Sequence, residues 1–152
     1  MVHRLLCDRS DLFAGGVSHA GVSWMDPSRC RPSDPVNILH IHSLTDEIVN
    51  FDGGVAFGQH PGVLQTLRDW ADRLGCAGEL TETEVTLELD LAVPGRETTI
   101  FRYIGCENSA VELWRKSSGK HWPTLQKDGI ETDLSNAVVD WLFSHPKAEA
   151  TP

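Results

Sequence analysis

Asp46 and His121 are the two side chains whose type and setting best fit acid–base chemistry in this sequence. Asp46 closes the stretch Val36 to Asp46, Val-Asn-Ile-Leu-His-Ile-His-Ser-Leu-Thr-Asp, where a mostly branched apolar run stops at a short polar loop. His121 stands in Ser-Ser-Gly-Lys-His-Trp-Pro, directly after the segment Val111 to Lys116. Open α/β sheets carry their reactive groups just past the carboxyl ends of buried strands. A carboxylate bonded to one imidazole nitrogen fixes the tautomer and stabilises the imidazolium that forms when the other nitrogen takes a proton. Asp46 would then orient His121, and His121 would be the base. The plain alternatives are a solvated loop aspartate and a surface histidine.

Two other groupings invite chemistry. Gly16-Val17-Ser18-His19-Ala20 has the letters of a nucleophile elbow, which needs a sharp turn from strand into helix to expose the serine oxygen. Gly21, Val22, Ser23, Trp24 and Asp26-Pro27 do not propagate a helix, so Ser18 is not expected to attack anything. His40 and His42, two apart on a strand, point to the same side and could share a metal, with Asp46, His121 or His60 completing the set. Packing and hydrogen bonding at the strand end is the simpler role, and no metal or other cofactor is expected.

The elements that must position Asp46 and His121 follow from periodicity. Met1 to Arg9 reads as the tail of a helix, and Leu12 to Ser18 as a short strand. After Pro32 and Pro35 comes the central strand, apolar enough to be buried on both faces. Past Pro61, Val63, Leu67, Trp70, Ala71 and Leu74 recur at helical spacing up to Gly75, with Trp70 expected in the core. Glu84 to Val93 alternates as a strand with one wet face, Pro94-Gly95 fits a type II turn, and Thr98 to Tyr103 returns as the second arm of a hairpin. Val111 to Lys116 is a further strand. Leu134, Ala137, Val138, Trp141 and Leu142 make a last helix, capped by Thr132 or Asp133 and stopped before Pro146. The pattern predicts an α/β fold, a doubly wound, mostly parallel sheet with flanking helices and a hairpin insertion. Both loops then lie at one end of the sheet.

Leu39 to Asp46 with Phe51 to Gly54 resembles the Leu-His-Ile-His-Gly-x-x-Asp and Tyr-x-Gly-Gly segments of the esterase and poly(3-hydroxybutyrate) depolymerase family of α/β-hydrolases, which includes feruloyl and acetyl xylan esterases. Ser118 to Pro123 resembles that family's histidine segment, and Met1 to Gly21 resembles the helix and strand that follow its nucleophile. Ser43 stands where the family usually has glycine. The resemblance covers residues 1–147 as one domain, the C-terminal part of the fold, with 148–152 as a disordered tail. It implies a carboxylic ester hydrolase with Asp46 and His121 as acid and base, an ester substrate and no cofactor. The family's Gly-x-Ser-x-Gly-Gly elbow would lie upstream of Met1, so the chain alone is expected to be inactive. A non-catalytic remnant or binding protein is the contrasting reading, and a His-x-His metallohydrolase a third.

The resemblance also bears on the cysteines. Cys7, Cys30, Cys76 and Cys106 contain no Cys-x-x-Cys pair, and by themselves they allow three disulfide connectivities or free thiols. Family members are commonly secreted and disulfide-bonded, which favours Cys76 with Cys106 and Cys7 with Cys30. With the family's strand order, Leu12 to Ser18 becomes an exposed edge, and self-association is expected. Complete family members are extracellular. Met1 to Asp11 lacks the continuous apolar core of a signal peptide, so the chain as written is expected to be cytoplasmic.

Composition excludes other partners. The 152 residues carry 13 Lys and Arg against 22 Asp and Glu, a net charge of -9 with no basic stripe. Nucleic acid and anionic membrane surfaces are poor partners for such a chain. No apolar run approaches the ~18 residues of a membrane span.

Overall fold

A computed structural model describes residues 1–56 and 58–147; the tail expected to be disordered lies outside the described residues. Helix Val2–Asp8 (α1) leads into strand Gly15–His19 (β1) and, after a 3-10 turn at Pro27–Arg29, into Asn37–Ser43 (β2). Gly53–Val55 (β3) and Gln59–Pro61 (β4) form a small ribbon ahead of helix Val63–Arg73 (α2). Leu80–Leu87 (β5), Thr98–Tyr103 (β6) and Val111–Lys116 (β7) follow, then the short pair Gln126–Lys127 (β8) and Ile130–Glu131 (β9), and helix Leu134–Ser144 (α3).

Among the described residues the main sheet has five strands in the order β1-β2-β7-β6-β5. β1, β2 and β7 run parallel, whereas β6 and β5 are antiparallel to their neighbours. The fold is therefore mixed α/β, and the expectation of a mostly parallel sheet with a hairpin insertion needs correction. The hairpin completes the sheet, because β6 pairs along β7 with Ile100 opposite Trp114 and Phe101 opposite Leu113. These pairs bury apolar side chains on both faces, which a projecting hairpin could not do.

Period-two alternation divides the core between the faces. Ile38, Val111, Leu113 and Phe101 pack beneath α1 and α2 against Leu6, Leu67 and Trp70. Leu39, Ile41, Ile100 and Trp114 pack against Trp141 of α3 on the opposite face. β2 is buried at every position, its polar Asn37, His40, His42 and Ser43 along with its apolar residues. Trp70 is fully buried on the apolar stripe of α2.

Two strands differ from the periodic reading. β1 begins only at Gly15, because Leu12 and Phe13 turn back on the end of α1, their amides donating to the Arg9 carbonyl. β5 covers Leu80–Leu87 instead of running on to Val93. Beyond Leu87 the alternation is taken over by tertiary bonds: the Leu89 amide donates to Glu97 Oε1 and the Leu91 amide to the Thr124 carbonyl. Leu89 and Asp90 are thereby buried in a loop. Gly95, at φ +81°, adopts the left-handed conformation that the Pro94-Gly95 turn requires.

Two disulfides, Cys7–Cys30 and Cys76–Cys106, tie α1 to the turn before β2 and the end of α2 to the β6–β7 connection. They fit an oxidising compartment. Among the described residues, no helix is long and apolar enough to cross a membrane.

Candidate functional site

β2 and β7 are parallel neighbours, with His42 opposite Arg115 and Ser43 opposite Lys116, so the loops after them emerge side by side. Those loops carry Asp46 and His121. His121 Nδ1 lies 2.9 Å from Asp46 Oδ2 and 3.1 Å from Oδ1. The Asp46 side chain is 1% exposed and that of His121 is 12% exposed, so the acid is sealed beneath the ring while the ring keeps access to solvent.

Asp46 is held from behind as well. Its Oδ1 accepts the amides of Ile48 at 2.9 Å and Val49 at 2.8 Å. Burial works against its charge, but the Val49 and Ile48 amides and His121 outweigh it and hold the carboxyl below the ordinary Asp range. An ionised Asp46 can only accept, so His121 Nδ1 carries the proton between them and Nε2 is left as the ring's free acceptor.

Ser43 fastens the two loops together. Its Oγ donates to the Gly119 carbonyl at 2.7 Å, and the Gly119 amide in turn donates to Thr45 Oγ1 at 3.0 Å. The His121 amide donates to Glu47 Oε2 at 3.3 Å. Below the same loop Lys116 Nζ pairs with Asp90 Oδ2 at 3.2 Å, both side chains 1% exposed. Asp90 Oδ1 also accepts the Thr124 amide, so this buried pair fixes the chain on both sides of His121. Trp122 is 74% exposed, and its ring meets that of His121 edge-on at 4.7 Å. A cleft of ≈ 380 Å³, lined by Thr45, Val93, Gly119 and Trp122 among others, opens beside it.

No protein-family model and no curated protein matches this sequence.

The other candidates fall elsewhere. Ser18 is buried within β1, opposite His40, and among the described residues no hydrogen bond joins it to His121. Ala20, at φ +48°, follows instead of a helix. His40 and His42 do share a face, but three of their four ring nitrogens are turned to protein: His40 Nε2 meets His42 Nδ1 at 3.0 Å, and His42 Nε2 meets the Val49 carbonyl at 2.8 Å. Among the described residues, no group of three or more His, Cys, Asp or Glu side chains is arranged to hold a metal ion. His60 Nδ1 donates to the Pro61 carbonyl.

Sequence reasoning missed His19, at the end of β1. Burial, with Lys116, His121 and His42 adding to it, pushes its imidazole down to about 4, which places it within electrostatic reach of the pair. It also missed the Lys116–Asp90 pair. The signal available was a lysine and an aspartate inside apolar segments, Val111 to Lys116 and Glu84 to Val93.

Proposed function

We propose that the chain supplies the acid and the base of a Ser-His-Asp carboxylic ester hydrolase of the α/β-hydrolase type. The observation that carries this reading is the Asp46–His121 hydrogen bond, made between loops that leave the carboxyl ends of adjacent parallel strands. Asp46 keeps the proton on His121 Nδ1. His121 Nε2 takes the proton of a serine hydroxyl as its oxygen attacks the ester carbonyl, and returns it to the departing alcohol. An acyl-serine forms, and water, activated by the same nitrogen, releases the acid and regenerates the serine. Nothing in these steps calls on a metal or redox group.

The attacking serine belongs, on this proposal, to a strand that pairs with β1. Among the described residues β1 lies at the end of the sheet with one side unpaired, and Leu12, Phe13, Val22 and Met25 near it in the chain are exposed. An open edge beside apolar side chains is a template for a further strand, and self-association of the chain by the same edge is part of the proposal. The two disulfides agree with an extracellular setting for the complete enzyme.

The test uses the gene product together with any in-frame sequence upstream of Met1. Hydrolysis of p-nitrophenyl acetate and butyrate is expected, with loss on His121→Ala. A fluorophosphonate probe is expected to label one serine outside residues 1–152. Hydrolysis that survives His121→Ala, or a probe that labels no serine in an active preparation, overturns the proposal. An in-frame stop codon just before Met1, with no hydrolysis, leaves a binding protein as the reading.

A further inference from the structure

Behind Asp46 lies a file of buried polar rings that the acid–base pair does not itself use. Trp70 of α2, His3 of α1, and His40 and His42 of β2 are all buried on one face of the sheet. His3 stacks on Trp70 with ring centroids 6.2 Å apart, on His40 at 5.6 Å, and His40 on His42 at 5.3 Å. The hydrogen bonds fix which nitrogen of each ring holds its proton. Indole can only donate, so Trp70 Nε1, 3.0 Å from His3 Nδ1, makes that nitrogen an acceptor and leaves the His3 proton on Nε2. A carbonyl can only accept, so His42 Nε2 carries the proton it gives to Val49. His42 Nδ1 is then bare and accepts from His40 Nε2, which leaves His40 Nδ1 bare.

The two ring nitrogens in this file without a partner among the described residues are His3 Nε2 and His40 Nδ1. One is a donor and the other an acceptor, on neighbouring stacked rings. The two hydrogen-bonded segments, Trp70 to His3 and His40 through His42 to Val49, therefore point the same way on either side of that gap. Val49 is where the second segment reaches the site: its carbonyl accepts from His42, while its amide donates to Asp46 Oδ1 at 2.8 Å. The Val49 peptide thus transmits the placement of His42 to the carboxylate that holds His121, and His42 Nε2 itself approaches Asp46 Oδ2 to 3.6 Å.

We propose that His42 is a positioning residue for Asp46, acting through the Val49 peptide and itself held in one tautomer by the Val49 carbonyl on one side and the His40 ring on the other. Its consequence for ester hydrolysis rests on the reading given above, whereas the geometry can be tested without it. His42→Phe keeps a ring of similar size and removes both hydrogen bonds. His42→Gln keeps an N–H that can reach the Val49 carbonyl.

The experiment is nitrogen-15 NMR of the imidazoles in the full chain at neutral pH. His3, His40 and His42 are expected to carry their protons on Nε2, and His121 on Nδ1. In His42→Phe, solvent exchange of the His121 Nδ1 proton is expected to quicken about five- to tenfold, the equivalent of one lost hydrogen bond. In His42→Gln it is expected to stay near wild type. A proton on Nδ1 of His40 or His42 in the wild type overturns the proposal, even if neither variant folds. So does a folded His42→Phe with unchanged exchange, or a Gln variant that behaves like Phe. If these expectations hold while no preparation hydrolyses an ester, the esterase reading falls and this one stands.

Discussion

Acidification from pH 7 to pH 5 is expected to remove about 4 kcal/mol of stability, from His3 and His40 alone. His3 is 3% exposed and His40 fully buried, and burial is the main reason both resist protonation. His3 is pushed down to about 4, and His40 lies well below its ordinary value. In the unfolded chain each imidazole titrates near ~6.5. Between those values the unfolded state binds protons that the folded state refuses, so stability falls as the pH falls. Each refused proton is worth about 1.4 kcal/mol per pH unit below ~6.5, or just under 2 kcal/mol by pH 5. His19 and His42 are depressed as well and act in the same direction. Asp46 is held below the ordinary carboxylate range, so its contribution is fully present at pH 5 and is lost only at more acid pH. For a chain of this length, about 4 kcal/mol corresponds to a melting point lower by about 8–16 °C. The assay is calorimetric melting in half-unit pH steps at constant ionic strength, with urea midpoints as a second measure. A melting point that stays within about 3 °C between pH 7 and pH 5, or that rises on acidification, would refute the assignment of these histidines as buried and neutral.

Three further outcomes are expected. On the proposed function, Asp46→Asn in a preparation that hydrolyses ester is expected to lower kcat about 10⁴-fold, as removal of the charged orienter does in serine hydrolases, with stability followed in parallel by melting. Lys116→Met leaves Asp90 buried without its cation and is expected to cost about 3–5 kcal/mol in urea unfolding; adding Asp90→Asn is expected to restore part of that loss, and an additive double variant would count against the pair. Replacing Cys76 and Cys106 together by alanine is expected to cost about 3.5 kcal/mol, because the bond closes a loop of 30 residues, and equal urea midpoints for the two proteins would contradict that.

The segments legible in the sequence were those whose side-chain pattern and surroundings agree. β6 and β7 fall on Thr98–Tyr103 and Val111–Lys116, and α2 on the stripe that holds Leu67 and Trp70, because local periodicity and burial coincide there. The Glu84 to Val93 alternation misled because Asp90 has a stronger use than a wet strand face: it meets Lys116 and the Thr124 amide from distant parts of the chain. Strand direction was the larger gap. Nothing in the β5–β6 hairpin itself states that β6 will lie antiparallel against β7, since that depends on which edge the chain finds after Gly105. The meeting of Asp46 with His121 could be anticipated from two polar loops following two apolar strands. Ser43 and Thr45 hold those loops in place by hydroxyls bonded to the Gly119 backbone, and Val49 by its own amide, and the backbone partners in these bonds leave no mark on residue type.

The β2–β7 ladder is the alignment gauge of the whole molecule. It is the seam where the parallel half of the sheet, built around β1 and β2, meets the antiparallel half, built from β5, β6 and β7. A slip of one residue along it would shift one loop past the other by about 3.3 Å and turn His40 and His42 toward the opposite face. The 2.9 Å bond between His121 and Asp46 would then be out of reach. The separation of those two side chains is therefore a ruler for register: a chain can be compact, disulfide-bonded and helical, yet only one that has zipped this seam correctly brings its acid to its histidine.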